Sequence, residues 1–125
     1  MKKEGLSKKE RLSLNKDFAR IFKEGEKLWI DKYLLIIYCP NELPFRRLGL
    51  IVSSKVGKAV ERNKVKRILR ELFRRNKDIF PENSDIVMIA SPKIKEIPFE
   101  RLLSLVKEYL SSAKRDCADA KKSHS

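Results

Sequence analysis

Apolar residues along the chain fall into segments with two different periods. Leu14, Phe18, Ile21 and Phe22 recur at i, i+4, i+7 and i+8, which predicts a short helix over about Lys16 to Lys23 with one apolar face. Asn15 or Ser13 can cap its free N–H groups, and Gly25 can end it in the left-handed conformation. From Leu28 to Cys39 the chain is rich in Ile, Leu, Tyr and Trp, and Pro40 stops it. Tyr33 to Tyr38 is apolar on both alternating faces, so this strand should be covered on both sides over part of its length, with Asp31-Lys32 as a point where it could break in two. Tyr33, Tyr38 and Trp29 read as core residues.

Pro40-Asn41-Glu42-Leu43-Pro44 has turn chemistry, and a second strand over about Arg46 to Ser53 would complete a hairpin with the first. Gly49 inside it permits a bulge or a close approach by another backbone. Gly57 opens a helix from about Ala59 to Asn76, expected to be the longest, with Val65, Ile68, Leu69 and Leu72 as its buried stripe. Asp85 to Ala90 is a short apolar strand suited to the interior of a sheet. Phe99 to about Ala113 is a last amphipathic helix with Leu102, Leu103, Val106 and Leu110 inward. This order predicts one α+β domain, an α/β sandwich with helices packed on a small mixed sheet, over residues 1–113. A loose polar tail is expected over 114–125, and a mobile basic arm over the first dozen residues.

Charge adds a partner to this picture. The chain has 125 residues, with 30 Lys+Arg against 17 Asp+Glu and a formal net charge of +13. A surface that cationic concentrates polyanions, so nucleic acid or an anionic membrane would be the partner. No apolar run approaches the roughly 20 residues that span a bilayer, and no apolar stretch follows the N-terminus as in a signal peptide. The cytoplasm is therefore the expected location. Cys39 and Cys117 are too far apart for a close-spaced metal motif and are expected to be thiols. The absence of Gln beside abundant Lys, Arg and Glu resembles the composition of heat-adapted proteins.

The cations concentrate in Arg62-Asn63-Lys64-Val65-Lys66-Arg67-Ile68-Leu69-Arg70-Glu71-Leu72-Phe73-Arg74-Arg75. On a helical wheel the apolar stripe takes one side, and Arg62, Asn63, Lys66, Arg67, Arg70 and Arg74 are expected on the other. Arg presents a planar fork of donors to phosphate oxygens, while Asn63 can reach a ribose hydroxyl or a base edge. A charged helix face is commonly just a solvated one. Here Glu61 and Glu71 are the only acids between Lys55 and Asp78, and Lys and Arg heavily outnumber them, so an external anion is the better explanation. Phe18 and Phe22, at i and i+4, fit either a core or a stacking platform. Nothing in the chain reads as a self-sufficient active site. The one histidine, His124, is second from the end, and no paired-carboxylate or metal-ligand spacing appears.

The run from Arg47 to Glu71 resembles the signature of the bacterial ribonuclease P protein family: a strand ending in Val52-Ser53-Ser54-Lys55, then Gly57, then Arg62-Asn63-x-x-Lys66-Arg67-x-x-Arg70. Arg11-Leu12 and Asp17-Phe18-x-x-Ile21-Phe22-Lys23-x-Gly25 are similar to the family's N-terminal pattern. The resemblance implies a ribosomal-protein-like fold with a left-handed βαβ crossover. It also implies a role as the protein subunit of the enzyme that removes the 5′ leader from precursor tRNA. The partners would be ribonuclease P RNA, which performs the chemistry with Mg²⁺, and the leader itself. No dedicated protein metal site, no membrane and no protein oligomer would be required. By the same resemblance Arg62, Asn63, Lys66, Arg67, Arg70, Lys55 and Ser53 would contact RNA, and Phe18 and Phe22 would line the leader cleft. Ser54 and Ile36 depart from the residues frequent in relatives. A ribosomal-type structural RNA-binding protein is the alternative, and a DNA-binding module is weaker because no turn-helix pair precedes the basic helix.

Overall fold

The computed structural model describes residue 12 and residues 15–124, the last dozen as backbone only. The expected basic arm, Ser13, Leu14 and the side chains of Asn15 and Cys117 lie outside the described residues. The elements are α1 (Asn15–Glu24), β1 (Glu26–Ile30), β2 (Leu34–Pro40), β3 (Arg47–Ile51), α2 (Ala59–Arg75), β4 (Ser84–Ala90) and α3 (Phe99–His124). Short 3₁₀ turns at Lys77–Ile79 and Pro92–Glu96 flank β4. The strand region breaks at the anticipated point: Asp31 takes a positive φ of 52°, and β1 folds back antiparallel on β2, with Trp29 opposite Leu35.

The expected hairpin between β2 and β3 does not form. The sheet order is β1-β2-β4-β3, with β4 antiparallel to β2 and parallel to β3. The reason lies in β4 itself. It is buried at every position except Ile89, which is partly buried, so it needs a neighbour on each edge and helices on each face. An interior slot satisfies those needs, and α2 serves as the crossover between the parallel β3 and β4. β3 is left at an edge, where the Leu12 N–H bonds to the Leu48 carbonyl at 2.9 Å and covers part of its open ladder.

Two apolar layers flank the sheet. On one face α2 and α3 pack through Val65, Leu69, Leu72, Leu102, Val106 and Leu110 onto Ile36, Leu48, Ile86 and Met88. Leu103 and Ile68 are only partly buried, and the stripe of α2 instead widens to Phe73, whose ring lies 5.2 Å from that of Phe80. Tyr33 and Tyr38 pack against this layer as expected, but Trp29 does not: it is 57% exposed. An edge strand leaves the outer flank of its side chains uncovered, and no described helix buries Trp29. The other face is smaller, with Leu12, Ile21, Ile37, Cys39 and Val87 buried together beneath α1.

Glycines let α1 come close. A Cβ at Gly49 would meet the Phe18 ring at 2.7 Å, so this residue accommodates a ring rather than a bulge. A Cβ at Gly25 would meet the Ile21 carbonyl oxygen at 2.6 Å and an Ile37 methyl at 2.7 Å. Gly25 is thus required by crowding where α1 turns into β1, and not by the left-handed conformation, which it does not adopt. The last helix also departs from expectation. It runs through His124 instead of ending near Ala113, because residues 111–124 contain neither Pro nor Gly and are rich in Ala, Lys and Arg. It is therefore longer than α2.

A buried carboxylate fixes α1 to the sheet. Asp85, fully buried at the start of β4, accepts a fork from Arg47 through Nε and a terminal nitrogen, both at 2.8 Å. It also accepts from Asn41 Nδ2 at 2.9 Å and from Arg20 of α1. Arg20 further donates to the Pro40 carbonyl and to Cys39 Sγ, and Asp17 lies 3.6 Å from Arg47. Burial pushes the Asp85 carboxyl up, but hydrogen bonds from Arg47 and Asn41 and the charges of Arg47 and Arg20 outweigh it, leaving the group below its ordinary value. A carboxyl depressed in the folded state contributes stability that is complete above its unfolded value near 3.9 and is lost as pH falls through the folded value. Asp85→Ala leaves two guanidinium groups without their shared anion and should cost roughly 3–5 kcal/mol in denaturant unfolding. Asp85→Asn should flatten the loss of stability that the parent shows below about pH 4.

Candidate nucleic-acid interface

α2 is capped from one side only, by an acid of its own first turn. Lys58 N–H donates to Glu61 Oε1 at 3.2 Å, and the Glu61 carboxylate folds back over Gly57, where a Cβ would lie 2.0 Å from Oε1. Upstream, Ser53 shapes the turn after β3: its carbonyl accepts from Val56 N–H at 3.0 Å and its hydroxyl from Lys55 N–H at 3.3 Å. Ser53 and Lys55 are both exposed, in the turn that links β3 to α2.

The basic residues of α2 form a row, though not quite the one the helical wheel suggested. Arg62, Lys66, Arg70 and Arg74 follow one another at i+4 spacing and are each partly buried. At 3.6 residues per turn Arg62 stands only about 60° round the helix from Val65, so the row starts on the flank of the apolar stripe and winds outward. Arg62 is held there by its Nε, which donates to the Gly57 carbonyl at 3.2 Å. Asn63 and Arg67 are fully on the outside. The ridge is therefore tilted toward the β3–α2 turn rather than opposite the core.

The two acids of α2 quench this row only at Arg74, its last member. Glu61 pairs with Lys95 at 3.3 Å, and the Lys58 N–H, followed by Lys95, holds its carboxyl below the usual range. Glu71 takes Arg74 at 2.7 Å and Arg75 at 3.0 Å, and the hydrogen bonds from Arg74 lower it in the same way. Among the described residues no acid pairs with Arg62, Lys66, Arg67 or Arg70, or with Lys55. Apart from Arg62 Nε, which serves the Gly57 carbonyl, their charged ends have no acidic partner among the described residues. The acids thus take Arg74, Arg75 and Lys95 and leave the row from Arg62 to Arg70.

The second part of the candidate site is the α1 face of the sheet. Phe18 is partly buried with its ring on Gly49, and Phe22, its ring centroid 6.3 Å away, is 39% exposed. The structure thus divides the two aromatics: Phe18 packs on the small core and Phe22 is exposed. α1 covers only part of this face. Leu35, Ile89 and Ile51 stand in register across β2, β4 and β3 and are partly buried at its rim. Ser53 and Lys55 follow directly from Ile51, so the apolar strip ends in the turn that opens the cationic helix.

Sequence reasoning missed the Asp85 cluster, with Arg20, Arg47 and Asn41, and it missed the exposure of Trp29. The first had a readable signal, since a lone Asp at the head of an apolar strand must find cations if it is to be buried. Exposure of Trp29 had none, because it depends on which strand lies at the edge. No three His, Cys, Asp or Glu gather to hold a metal among the described residues, and no described helix is long and apolar enough to cross a membrane. Asp85, Glu61 and Glu71 all have cationic partners, so they do not fit a protein cage for Mg²⁺.

The ribonuclease P family profile matches residues 6–114. The ribonuclease P protein component of Thermotoga sp. (strain RQ2) is 48% identical over 99 residues, covering 79% of this chain and 83% of the relative. The solved ribonuclease P protein of Staphylococcus aureus superposes with a TM-score of 0.74 at 35% identity, covering 84% of this chain and 95% of that one. The Thermotoga maritima ribonuclease P protein gives 0.67 at 41% identity, covering 83% and 94%. With the mixed sheet, the three helices and the Arg62–Arg70 ridge all in place, the chain belongs to the ribonuclease P protein family.

Proposed function

We propose that this chain is the protein subunit of ribonuclease P and works by holding RNA at two places. The unpaired ridge of Arg62, Lys66, Arg67 and Arg70, with Asn63 and the Ser53–Lys55 turn, takes the phosphate backbone of ribonuclease P RNA. The strip beside Phe18 and Phe22 takes the single-stranded 5′ leader of precursor tRNA. The ridge carries this reading, because cations left without acids in a folded chain are explained by an anionic partner. The apolar strip adds the second element, since single strands bind to positively bordered grooves with rings on which bases stack. The described side chains offer no nucleophile–base pair, so phosphodiester hydrolysis and the Mg²⁺ it uses rest with the RNA subunit in this proposal. Work in the cytoplasm, where precursor tRNA is made in bacteria, follows from the same role. A ribosomal-type structural role has no support from the relatives, which carry the name of the ribonuclease P protein component.

Adding the purified protein to ribonuclease P RNA and precursor tRNA at low Mg²⁺ tests the proposal. Cleavage should rise well above that of RNA alone, and an unchanged rate overturns it. Arg67→Ala should leave unfolding within about 0.5 kcal/mol of the parent, because the side chain bonds to no described neighbour. It should weaken RNA binding and reduce the slope of log affinity against log salt by about one. Phe22→Ala should weaken binding of precursor over mature tRNA by about 1–3 kcal/mol, the worth of one stacked base. Equal affinities for precursor and mature tRNA in the parent protein would sink the leader cleft.

A further inference from the structure

Trp29 is the one tryptophan of the chain, and it is the large apolar side chain whose exposure the fold explains least well. A ring of that size left 57% in water forfeits the apolar burial available to it, and a polar residue would serve an edge strand better. Its position is informative. Trp29 lies opposite Leu35, Leu35 opposite Ile89, and Ile89 beside Ile51, so the four form a single registered row across β1, β2, β4 and β3. Directly paired residues share a face, and this is the face that α1 covers only in part. Three inter-strand steps of about 4.8 Å make the row about 14 Å long. One end meets Ser53 and Lys55, and the other is Trp29. Lys27, two residues before Trp29 and so on the same face, is exposed, while Glu26 falls on the opposite one.

We infer that Trp29 is a stacking platform for a nucleobase of single-stranded RNA that has already crossed the sheet, with Lys27 placed for a neighbouring phosphate. The inference rests on the leader-cleft reading above and extends it by one subsite, at the edge farthest from β3. Charge complementarity and continuity with the cleft favour RNA as occupant. An apolar strip bordered at both ends by lysines suits an extended anion with flat apolar groups, and single-stranded RNA has both. The subsite should be reached only by a leader long enough to span the row, so its effect should depend on leader length.

The single tryptophan makes this measurable in the assembled enzyme, since the RNA contributes no tryptophan emission. Precursor tRNAs with 5′ leaders of graded length are titrated into the protein bound to ribonuclease P RNA, while Trp29 fluorescence and affinity are followed. Quenching should appear above a threshold leader length and be absent with mature tRNA. Trp29→Ala should weaken the long-leader precursor about fivefold or more and leave the shortest unchanged, with Trp29→Phe retaining part of the gain. The melting profile of Trp29→Ala should match the parent, since the ring is exposed. If Phe22→Ala weakens every leader-bearing precursor while Trp29→Ala weakens none, the subsite is wrong and the cleft stands. If both variants are silent at every length, the cleft reading itself falls and the subsite with it. Quenching by ribonuclease P RNA alone, or quenching that grows with protein concentration in the absence of RNA, assigns Trp29 to another partner and overturns the inference.

Discussion

The carboxylate of Asp85 decides how the two sides of the sheet are used. It is buried at the head of the central strand and is held by Arg47 of β3, Arg20 of α1 and Asn41 of the β2–β3 loop. A charge in that place is unfavourable without partners and strongly held with them. Three separate segments therefore converge on one end of the sheet, and α1 is drawn to that end. From there Ile21 and Phe18 cover the middle rows, over Ile37, Val87 and Gly49. The row beyond them, Leu35, Ile89 and Ile51, is left partly open. The open strip is thus a result of where the clamp sits. A helix centred over the sheet would have closed it.

Charge is spent in two ways in this molecule. Near α1, cations meet acids inside the fold and serve structure. Along α2, acids are turned toward Lys95, Arg74 and Arg75, and the row from Arg62 to Arg70 is left without them. The same residue type thus carries a structural task in Arg47 and, in the proposed function, a binding task in Arg67. Burial of the partner, not the identity of the cation, separates the two. The Ser53–Gly57 turn joins them, because it leaves the strand that holds Arg47 and enters the helix that bears Arg67.

Much of this was legible before any coordinates. The helix periods of Val65, Leu69 and Leu72 and of Leu102, Val106 and Leu110 placed both large helices on the core, since a repeated apolar spacing admits few alternatives. The basic segment was found at its correct place because local density of charge is a property of sequence. Strand pairing was not legible: the turn residues Pro40 to Pro44 suit a hairpin, and only the burial needs of β4, more than thirty residues later, remove it. The fate of each aromatic was likewise hidden. Phe18, Phe22 and Trp29 are alike in sequence, but one lies on a glycine, one on the free side of a helix and one on an edge strand. Those differences are made by tertiary contacts.

The late arrival of the central strand has a consequence for synthesis. β2 and β3 are complete by residue 51, yet the strand that must lie between them spans residues 84–90. On the ribosome the two halves of the sheet emerge with a missing middle and unpaired edges, and the cationic helix emerges before its floor exists. Long-range pairing of this kind closes slowly, and open edges invite mispairing in the interval.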